Sequence, residues 1–264
     1  MAELVLEETI ELDGRQAVLL TLNRPEKFNA VIPETVVLLR EKLQRLSNSG
    51  VGAVVLTGAG RAFCAGGDLS RYQVLFDQPH ELERYMDDFM AVCELLETIP
   101  AATFAMVNGV CVAGGLELAL ACDAILVADS ARIGDGHLRF GQIGGTGGTQ
   151  RLSRAIGYQR AKYWLLSGRL FSAEQAVADG LAVEAVPAAD LRARTLKLAA
   201  EAARHSPLGV GISKKLIRAA VDETRPAGFE RERRLVFDYV TTSDDAREGL
   251  AAFVAGRNQV FTGR

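Results

Sequence analysis

The residues best suited to chemistry in this chain are glycines that follow apolar segments, with a carboxylate close behind them. The segment 107–117 runs from an apolar stretch into Gly114 and Gly115, and Glu117 falls in the first turn of the helix predicted to follow. Amides at a helix start are unpaired and attract negative charge, and glycine lets a ligand approach the backbone closely. Glu117 is near enough to exchange protons with such a ligand, although carboxylates also occur here simply because they stabilise the helix terminus.

A second glycine-rich loop follows another apolar segment. The stretch 58–69 holds Gly66 and Gly67 ahead of a predicted helix, with Asp68 placed to cap it, so an ordinary strand-to-helix loop also explains the pattern. Two such loops can direct two amides at one oxygen atom and so form an oxyanion hole. Each donor of that kind contributes roughly 3–4 kcal/mol when the oxygen becomes charged.

Several other classes of function are disfavoured by the sequence. It contains no GxxxxGK phosphate loop, HExxH zinc helix or GxSxG nucleophile elbow. Its three histidines form no group at ligand spacing, so we expect no metal site. A net charge of −3 without basic runs argues against nucleic-acid binding, and no apolar stretch reaches membrane-helix length. The absence of a secretory signal and the widely spaced cysteines predict a cytoplasmic protein with reduced, buried thiols at positions 64, 93, 111 and 122.

The elements that position these loops follow from the apolar pattern. Asp13-Gly14 lies between two alternating segments and predicts a β-hairpin. Further along, short apolar strands alternate with helices, which is typical of an α/β architecture whose helices cover sheets. We predict strands at 51–57, 103–107 and 124–128, and helices from Pro33 to before Gly50, at 81–98 and at 115–122.

The chain changes character near residue 200, where mixed α/β sequence gives way to helical sequence. Ser172 and Gln175 have the spacing of a capping box, in which each side chain bonds a free amide at the helix start. A last strand is predicted at 183–186 and helices at 190–204, 207–221, 226–240 and 243–255. The length of 264 residues suits one large domain with a small appendage.

Several ordered segments resemble a known family. The stretch 57–69 resembles the first signature of the enoyl-CoA hydratase/isomerase (crotonase) superfamily, and 108–123 resembles its second. Shorter matches at 23–27, 147–152, 172–181 and 248–253 follow in the same order and extend the resemblance over nearly the whole chain.

This resemblance implies an α/β spiral of ββα units over residues 1–200 and a helical region over 201–264 that assembles homotrimers, often paired into hexamers. It implies an acyl-CoA thioester as substrate, with no metal or redox cofactor. By position, the amides of Gly67 and Gly114 would hold the thioester oxygen, and Glu117 is the first catalytic glutamate. Backbone carbonyls of Cys64, Ala65 and Gly66 would contact the adenine, and coenzyme A phosphates would meet Lys27 and one of Lys214 and Lys215.

The sequence departs from the family at the second catalytic glutamate. Family hydratases carry it in a Gly-x-Pro-Glu run, whereas this chain has His137 at that place and Gly136 in place of the proline. Asp135 stands two residues before His137 and, if the segment is extended, points elsewhere. A neutral imidazole is able to replace the carboxylate as a base near pH 7.

Three interpretations remain open at this point. In the preferred one, Glu117 and His137 together hydrate a 2-enoyl-CoA. In the second, Glu117 works without His137, and the protein is a double-bond isomerase or catalyses another enolate reaction such as decarboxylation. In the third, the protein binds acyl-CoA or serves as a scaffold without catalysis.

Overall fold

The chain opens with a β-hairpin, as predicted. The computed structural model describes residues 3–12 and 15–264. Strand β1 (Val5–Leu12) pairs antiparallel with β2 (Arg15–Leu22), and Leu12 faces Arg15 at the closed end. The predicted turn residues, Asp13 and Gly14, lie outside the described residues.

Two sheets share the remaining strands. The larger sheet has the order β1-β2-β3-β5-β7-β10, and the strands from β2 onward run parallel. The smaller sheet has the order β4-β6-β8-β9, with β9 antiparallel to β8. The larger sheet is completed by β3 (Ala53–Gly58), β5 (Ala102–Val107), β7 (Ala124–Ala128) and β10 (Glu184–Val186); the smaller sheet consists of β4 (Ala62–Cys64), β6 (Val110–Val112), β8 (Arg132–Gly134) and β9 (Phe171–Ser172).

Successive strand pairs divide themselves between the two sheets. In β3–β4, β5–β6 and β7–β8, the first strand joins the larger sheet and the second joins the smaller one, and helical segments then lead to the next pair. The predicted spiral of ββα units is therefore confirmed. Every residue of β3 is buried, which explains why the sequence shows an unbroken apolar run here instead of alternation.

The predicted helices are present, with small shifts at their ends. Proline stands in the first turn of α1, α3, α9 and α10, where its missing amide hydrogen leaves no bond unmade. The apolar pattern does not predict α6, because only two of its residues are buried. The helices are α1 (Pro33–Leu46), α2 (Leu69–Leu75), α3 (Pro79–Thr98), α4 (Gly114–Leu120), α5 (Gly148–Ile156), α6 (Tyr158–Ser167), α7 (Ala173–Ala178), α8 (Leu191–Ala203), α9 (Pro207–Asp222), α10 (Arg225–Thr242) and α11 (Asp244–Ala255), with 3₁₀ helices at Pro25–Lys27 and His137–Phe140.

Only half of the predicted capping box forms. The Ser172 hydroxyl accepts a hydrogen bond from the Gln175 amide at 3.2 Å, as expected for a helix N-cap. The side-chain amide of Gln175 instead donates forward to Asp179 at 3.0 Å. The predicted bond from the Ser172 backbone amide to the Gln175 side chain is therefore wrong, because the Gln175 side chain extends forward to the Asp179 carboxylate one turn along the helix.

Helices α9 to α11 lie beyond the spiral and attach through α9. Lys214 donates to the carbonyls of Leu96 and Ala101, at 3.0 and 3.1 Å, and to the Asp123 carboxylate at 2.7 Å. These helices expose large apolar side chains, including Ile217, Phe229, Phe237, Leu250, Phe253 and Val254. Within residues 3–12 and 15–264, no helix combines the length and apolar character that crossing a membrane requires.

Candidate active site

One cavity of about 530 Å³ brings the glycine loops, Glu117 and His137 together. Its central loops follow β4, β6 and β8, which are parallel neighbours in the smaller sheet. Because the carboxyl ends of parallel neighbours meet at one edge of a sheet, loops far apart in sequence become adjacent there. Of the predicted site residues, Gly67, Gly114, Glu117, His137, Lys27 and Ala65 line this cavity.

The first glycine loop leaves an amide unpaired at the cavity. The chain on either side of Gly67 is tied to Val31, which donates to the Gly66 carbonyl at 2.8 Å and accepts from the Asp68 amide at 2.9 Å. In a parallel bridge of this kind, the central residue turns its own amide to the opposite side. The Gly67 N–H has no hydrogen-bond partner among the residues that the structure describes.

The second glycine loop presents its amide beside the first. Gly114 is the first residue of α4, so its N–H lacks an intrahelical acceptor, and none is supplied by the described part of the chain. Ala113 before it has φ 54° and ψ −120°, a strained conformation for a non-glycine residue. A Cβ at Gly66 would lie 3.2 Å from the Gly114 nitrogen, and Gly66 itself has φ 91°, so glycine is needed where the two loops touch.

Glu117 is almost fully buried, with 2% of its surface exposed, and its carboxylate is held in place by hydrogen bonds. Its Oε1 accepts hydrogen bonds from the amides of Thr146 at 2.9 Å and Gly148 at 3.1 Å. Gly148 begins α5, so a second helix start supplies one of these donors. The sequence pattern did not indicate Thr146 and Gly148 as partners of Glu117, because they lie 29 and 31 residues further along the chain.

His137 does not lie in an extended segment. The chain turns after β8 because Gly136 adopts a left-handed conformation with φ 70°, and a 3₁₀ helix begins at His137. This turn carries the Asp135 side chain back onto His137. Its Oδ1 accepts from the His137 amide at 3.1 Å, and its Oδ2 lies 2.9 Å from Nδ1 of the ring. The extended segment on which Asp135 was expected to point elsewhere is not present, and the expectation is wrong on a second ground, because residues two apart share a face even on an extended strand.

The His137 ring and the Glu117 carboxylate face each other across Gly144. A Cβ at Gly144 would lie 3.1 Å from both Oε1 of Glu117 and Cε1 of His137. Burial disfavours the charged ring, but the hydrogen bond to Asp135 and the negative charges of Asp135 and Glu117 outweigh it and raise the pKa of His137. The cavity thus holds two titratable side chains beside two amides that have no partner among the described residues.

Aromatic side chains form one wall of the cavity. The ring centroids of Tyr85 and Tyr72 are 6.2 Å apart, and those of Tyr85 and Phe89 are 6.1 Å apart. Burial, with a contribution from the charge of Glu117, raises the pKa of Tyr72, so its phenol stays neutral near pH 7. Tyr72, Tyr85, Met86 and Phe89 all line the cavity.

The residues predicted to contact coenzyme A divide into two groups. Lys27 and Ala65 lie at the cavity, and Lys27 is exposed. Cys64 is buried outside the lining, and burial raises the pKa of its thiol to about 12. The Gly66 carbonyl is bonded to Val31. Lys214 lies outside this cavity and already donates to the carbonyls of Leu96 and Ala101 and to the Asp123 carboxylate, which disfavours it as a phosphate ligand of its own chain.

Comparison with known proteins shows the family to which this chain is similar. A family model described as enoyl-CoA hydratase/isomerase matches residues 14–264. The chain is 33% identical over 259 residues to the "Probable enoyl-CoA hydratase" of Mycobacterium tuberculosis, covering 97% of this chain and 99% of the relative. It is also 33% identical over 261 residues to the 2,3-dehydroadipyl-CoA hydratase of Escherichia coli, covering 98% of this chain and 100% of that protein.

Solved structures give the same result for the fold. The crystal structure of an enoyl-CoA hydratase from Bacillus anthracis superimposes with a TM-score of 0.92 at 30% identity, covering 99% of this chain and 100% of that chain. The match of sequence and fold extends from the opening hairpin to the last helix. The chain therefore belongs to the enoyl-CoA hydratase/isomerase family.

Proposed function

We propose that the protein is an enoyl-CoA hydratase that adds water across the double bond of a 2-enoyl-CoA. The observation that carries this proposal is the position of two unpaired amides, at Gly67 and Gly114, in one cavity with the facing side chains of Glu117 and His137. Addition of water places negative charge on the thioester oxygen, and converging amides stabilise that charge.

The proposed reaction moves one proton between two side chains. Nε2 of neutral His137 takes a proton from water as the water oxygen bonds to the β-carbon. The π electrons move toward the thioester oxygen, which accepts hydrogen bonds from the Gly67 and Gly114 amides. Glu117, protonated at the start, then delivers its proton to the α-carbon. The pair carries one proton in total, on Glu117 before the reaction and on His137 after it, and a proton passes from His137 back to Glu117 through solvent before the next turnover. Dehydration follows the same steps in reverse.

The proposed reaction uses no metal or redox cofactor. The cavity also offers groups that suit the coenzyme A and acyl parts of the substrate. The thioester itself accepts the electron pair once the two amides hold its oxygen. Lys27 is an exposed cation at the cavity, which suits the phosphates of coenzyme A, and the Ala65 backbone lies nearby for the adenine. The aromatic wall at Tyr72, Tyr85 and Phe89 suits an apolar acyl group.

The test is incubation with 2-enoyl-CoAs of short, long and branched chains while enoyl absorbance is followed. We expect the absorbance to fall and mass spectrometry to show a product heavier by one water. A product of unchanged mass would indicate an isomerase, and loss of carbon dioxide from a malonyl-type thioester would indicate a decarboxylase. Binding of every substrate without conversion would leave the non-catalytic interpretation and exclude the hydratase.

We further propose that residues 201–264 form the contacts of a homotrimer and that the protein is cytoplasmic. The apolar side chains that α9 to α11 expose support the trimer, since Phe253 is 84% and Val254 78% exposed in the single chain. The four cysteines form no disulfide, which supports the cytoplasmic location. Sedimentation of the protein and of Phe253→Glu tests the assembly: the variant is expected to shift toward monomer, and a monomeric parent would contradict it.

A further inference from the structure

Asp135 is a buried carboxylate whose two oxygens both serve a single neighbour. It is 4% exposed, and the reaction proposed above does not use it. Oδ1 accepts from the backbone amide of His137 at 3.1 Å, and Oδ2 lies 2.9 Å from Nδ1 of the same residue. Burying a carboxylate costs free energy unless it is paired and hydrogen-bonded. Because an uncharged residue would avoid that cost, the role of this carboxylate is to be sought in its contact with the His137 ring.

We propose that Asp135 is a positioning residue that fixes the tautomer of His137, leaving Nε2 as the atom that exchanges protons with water. This inference rests on the proposed hydratase function. A carboxylate only accepts hydrogen bonds, so the nitrogen facing it must carry hydrogen. A neutral imidazole has one N–H, which places the lone pair on Nε2. The same contact fixes the orientation of the ring at the cavity.

The electrostatic surroundings fit this role. The charged groups that face the ring are Asp135, on the turn after β8, and Glu117, on α4. Tyr72 of α2 interacts with the same Glu117 carboxylate but is uncharged near pH 7. The pair of Glu117 and His137 must carry one proton between them, so kcat falls at high pH when the pair has lost that proton. Loss of the Asp135 charge lowers the pKa of His137 and moves this alkaline limb to lower pH.

Asparagine at position 135 is the most informative change, because it offers one acceptor oxygen where the aspartate uses two. The His137 backbone N–H cannot give up its hydrogen, so it retains the oxygen, and the new NH₂ group faces Nδ1. The ring avoids two opposed donors by carrying its hydrogen on Nε2, which removes the lone pair from the cavity. Alanine leaves both tautomers open, since nothing faces Nδ1.

The two variants therefore separate a positioning role from a structural one. We expect kcat of Asp135→Asn to fall at least about 100-fold at nearly unchanged KM, and Asp135→Ala to keep more activity than Asp135→Asn. A residue needed only for the turn predicts the opposite order, because asparagine preserves the turn and alanine does not. The matched control is Asp129→Asn, since Asp129 is exposed and also accepts a nearby backbone amide, from Ser130 at 2.7 Å. It should leave kcat unchanged.

Nitrogen-15 NMR of the ring tests the tautomer without any substrate. The chain has three histidines, and His137→Gln identifies the signals of interest by their loss. In the parent at high pH we expect hydrogen on Nδ1 and an unprotonated Nε2; in Asp135→Asn we expect the reverse. Hydrogen on Nε2 in the parent, or equal or greater kcat for asparagine than for alanine, would overturn the inference. Absence of turnover on every enoyl-CoA with the expected NMR result would refute only the proposed function.

Discussion

Substitution of Glu117 by glutamine separates the proton chemistry of the site from its architecture. Glutamine keeps one oxygen that is able to accept from the Thr146 and Gly148 amides, now 2.9 and 3.1 Å from Oε1. Replacing a charged acceptor by a neutral one weakens each bond by about 1 kcal/mol, and the removal of a buried charge offsets part of that loss. We therefore expect the free energy of unfolding to fall by less than about 2 kcal/mol.

The catalytic effect of the same change is expected to be larger than its effect on folding. Glutamine cannot give a proton to the α-carbon or take one from it, so kcat should fall at least about 100-fold, which corresponds to about 2.7 kcal/mol in the barrier. Alanine differs, because it also leaves two buried amides without acceptors, at a cost of about 1–3 kcal/mol each. Glu117→Ala should therefore lose both activity and stability.

The assay combines steady-state hydration kinetics with urea denaturation for Glu117→Gln, Glu117→Ala and the parent. Glu174→Gln is a matched control, since Glu174 is exposed in the first turn of α7, outside the cavity lining. Retention of more than a tenth of the parent kcat by Glu117→Gln would refute the assignment of Glu117. Equal destabilisation by glutamine and alanine would refute the structural role of the two amide bonds.

Three further changes test other parts of the structure. Gly144→Ala inserts a methyl group 3.1 Å from both Glu117 and His137, so kcat should fall about 10–100-fold while the melting temperature changes little; an unchanged kcat would contradict their facing arrangement. Hydrogen bonding by Ser70 and Arg24, against burial, lowers the pKa of Asp68 to about 2, so its stabilising contribution is complete above about pH 4 and is lost toward pH 2. Asp68→Asn should remove that part of the acid dependence, as measured by melting temperature against pH. Lys214→Met should lower the free energy of unfolding by about 1–3 kcal/mol in denaturant titrations without changing KM, whereas a raised KM would restore Lys214 as a coenzyme A ligand.

The local parts of the fold could be predicted from the sequence because short-range rules govern them. Proline and glycine mark the ends of α1 near Pro33 and Gly50, and an unbroken apolar run indicates the buried strand β3. Glu117 belongs to the same class, since its place in the first turn of α4 depends on three preceding residues. The capping box shows the limit of these rules, because Asp179 competes for Gln175 in a way that spacing alone does not reveal.

The composition of the site was decided by tertiary structure. The order β4-β6-β8 in the smaller sheet places the Gly67 loop, the Gly114 loop and the His137 turn at one edge. The bonds that hold Glu117 come from Thr146 and Gly148, which are 29 and 31 residues further along the chain. No local pattern specifies such partners, because they depend on which strands pair and where α5 begins.

The contact between Asp135 and His137 shows the difference most clearly. The residue types were visible in the sequence, but on an extended backbone Asp135 and His137, two residues apart, would share a face with their backbones roughly 6.5 Å apart and would not bond through the ring. The left-handed conformation of Gly136 turns the chain between them and brings the two side chains into a hydrogen-bonded pair. The sequence by itself determined which groups are present and which helix and strand ends carry them. Their directions were decided by backbone torsions and strand pairing, which depend on the packing of the whole chain.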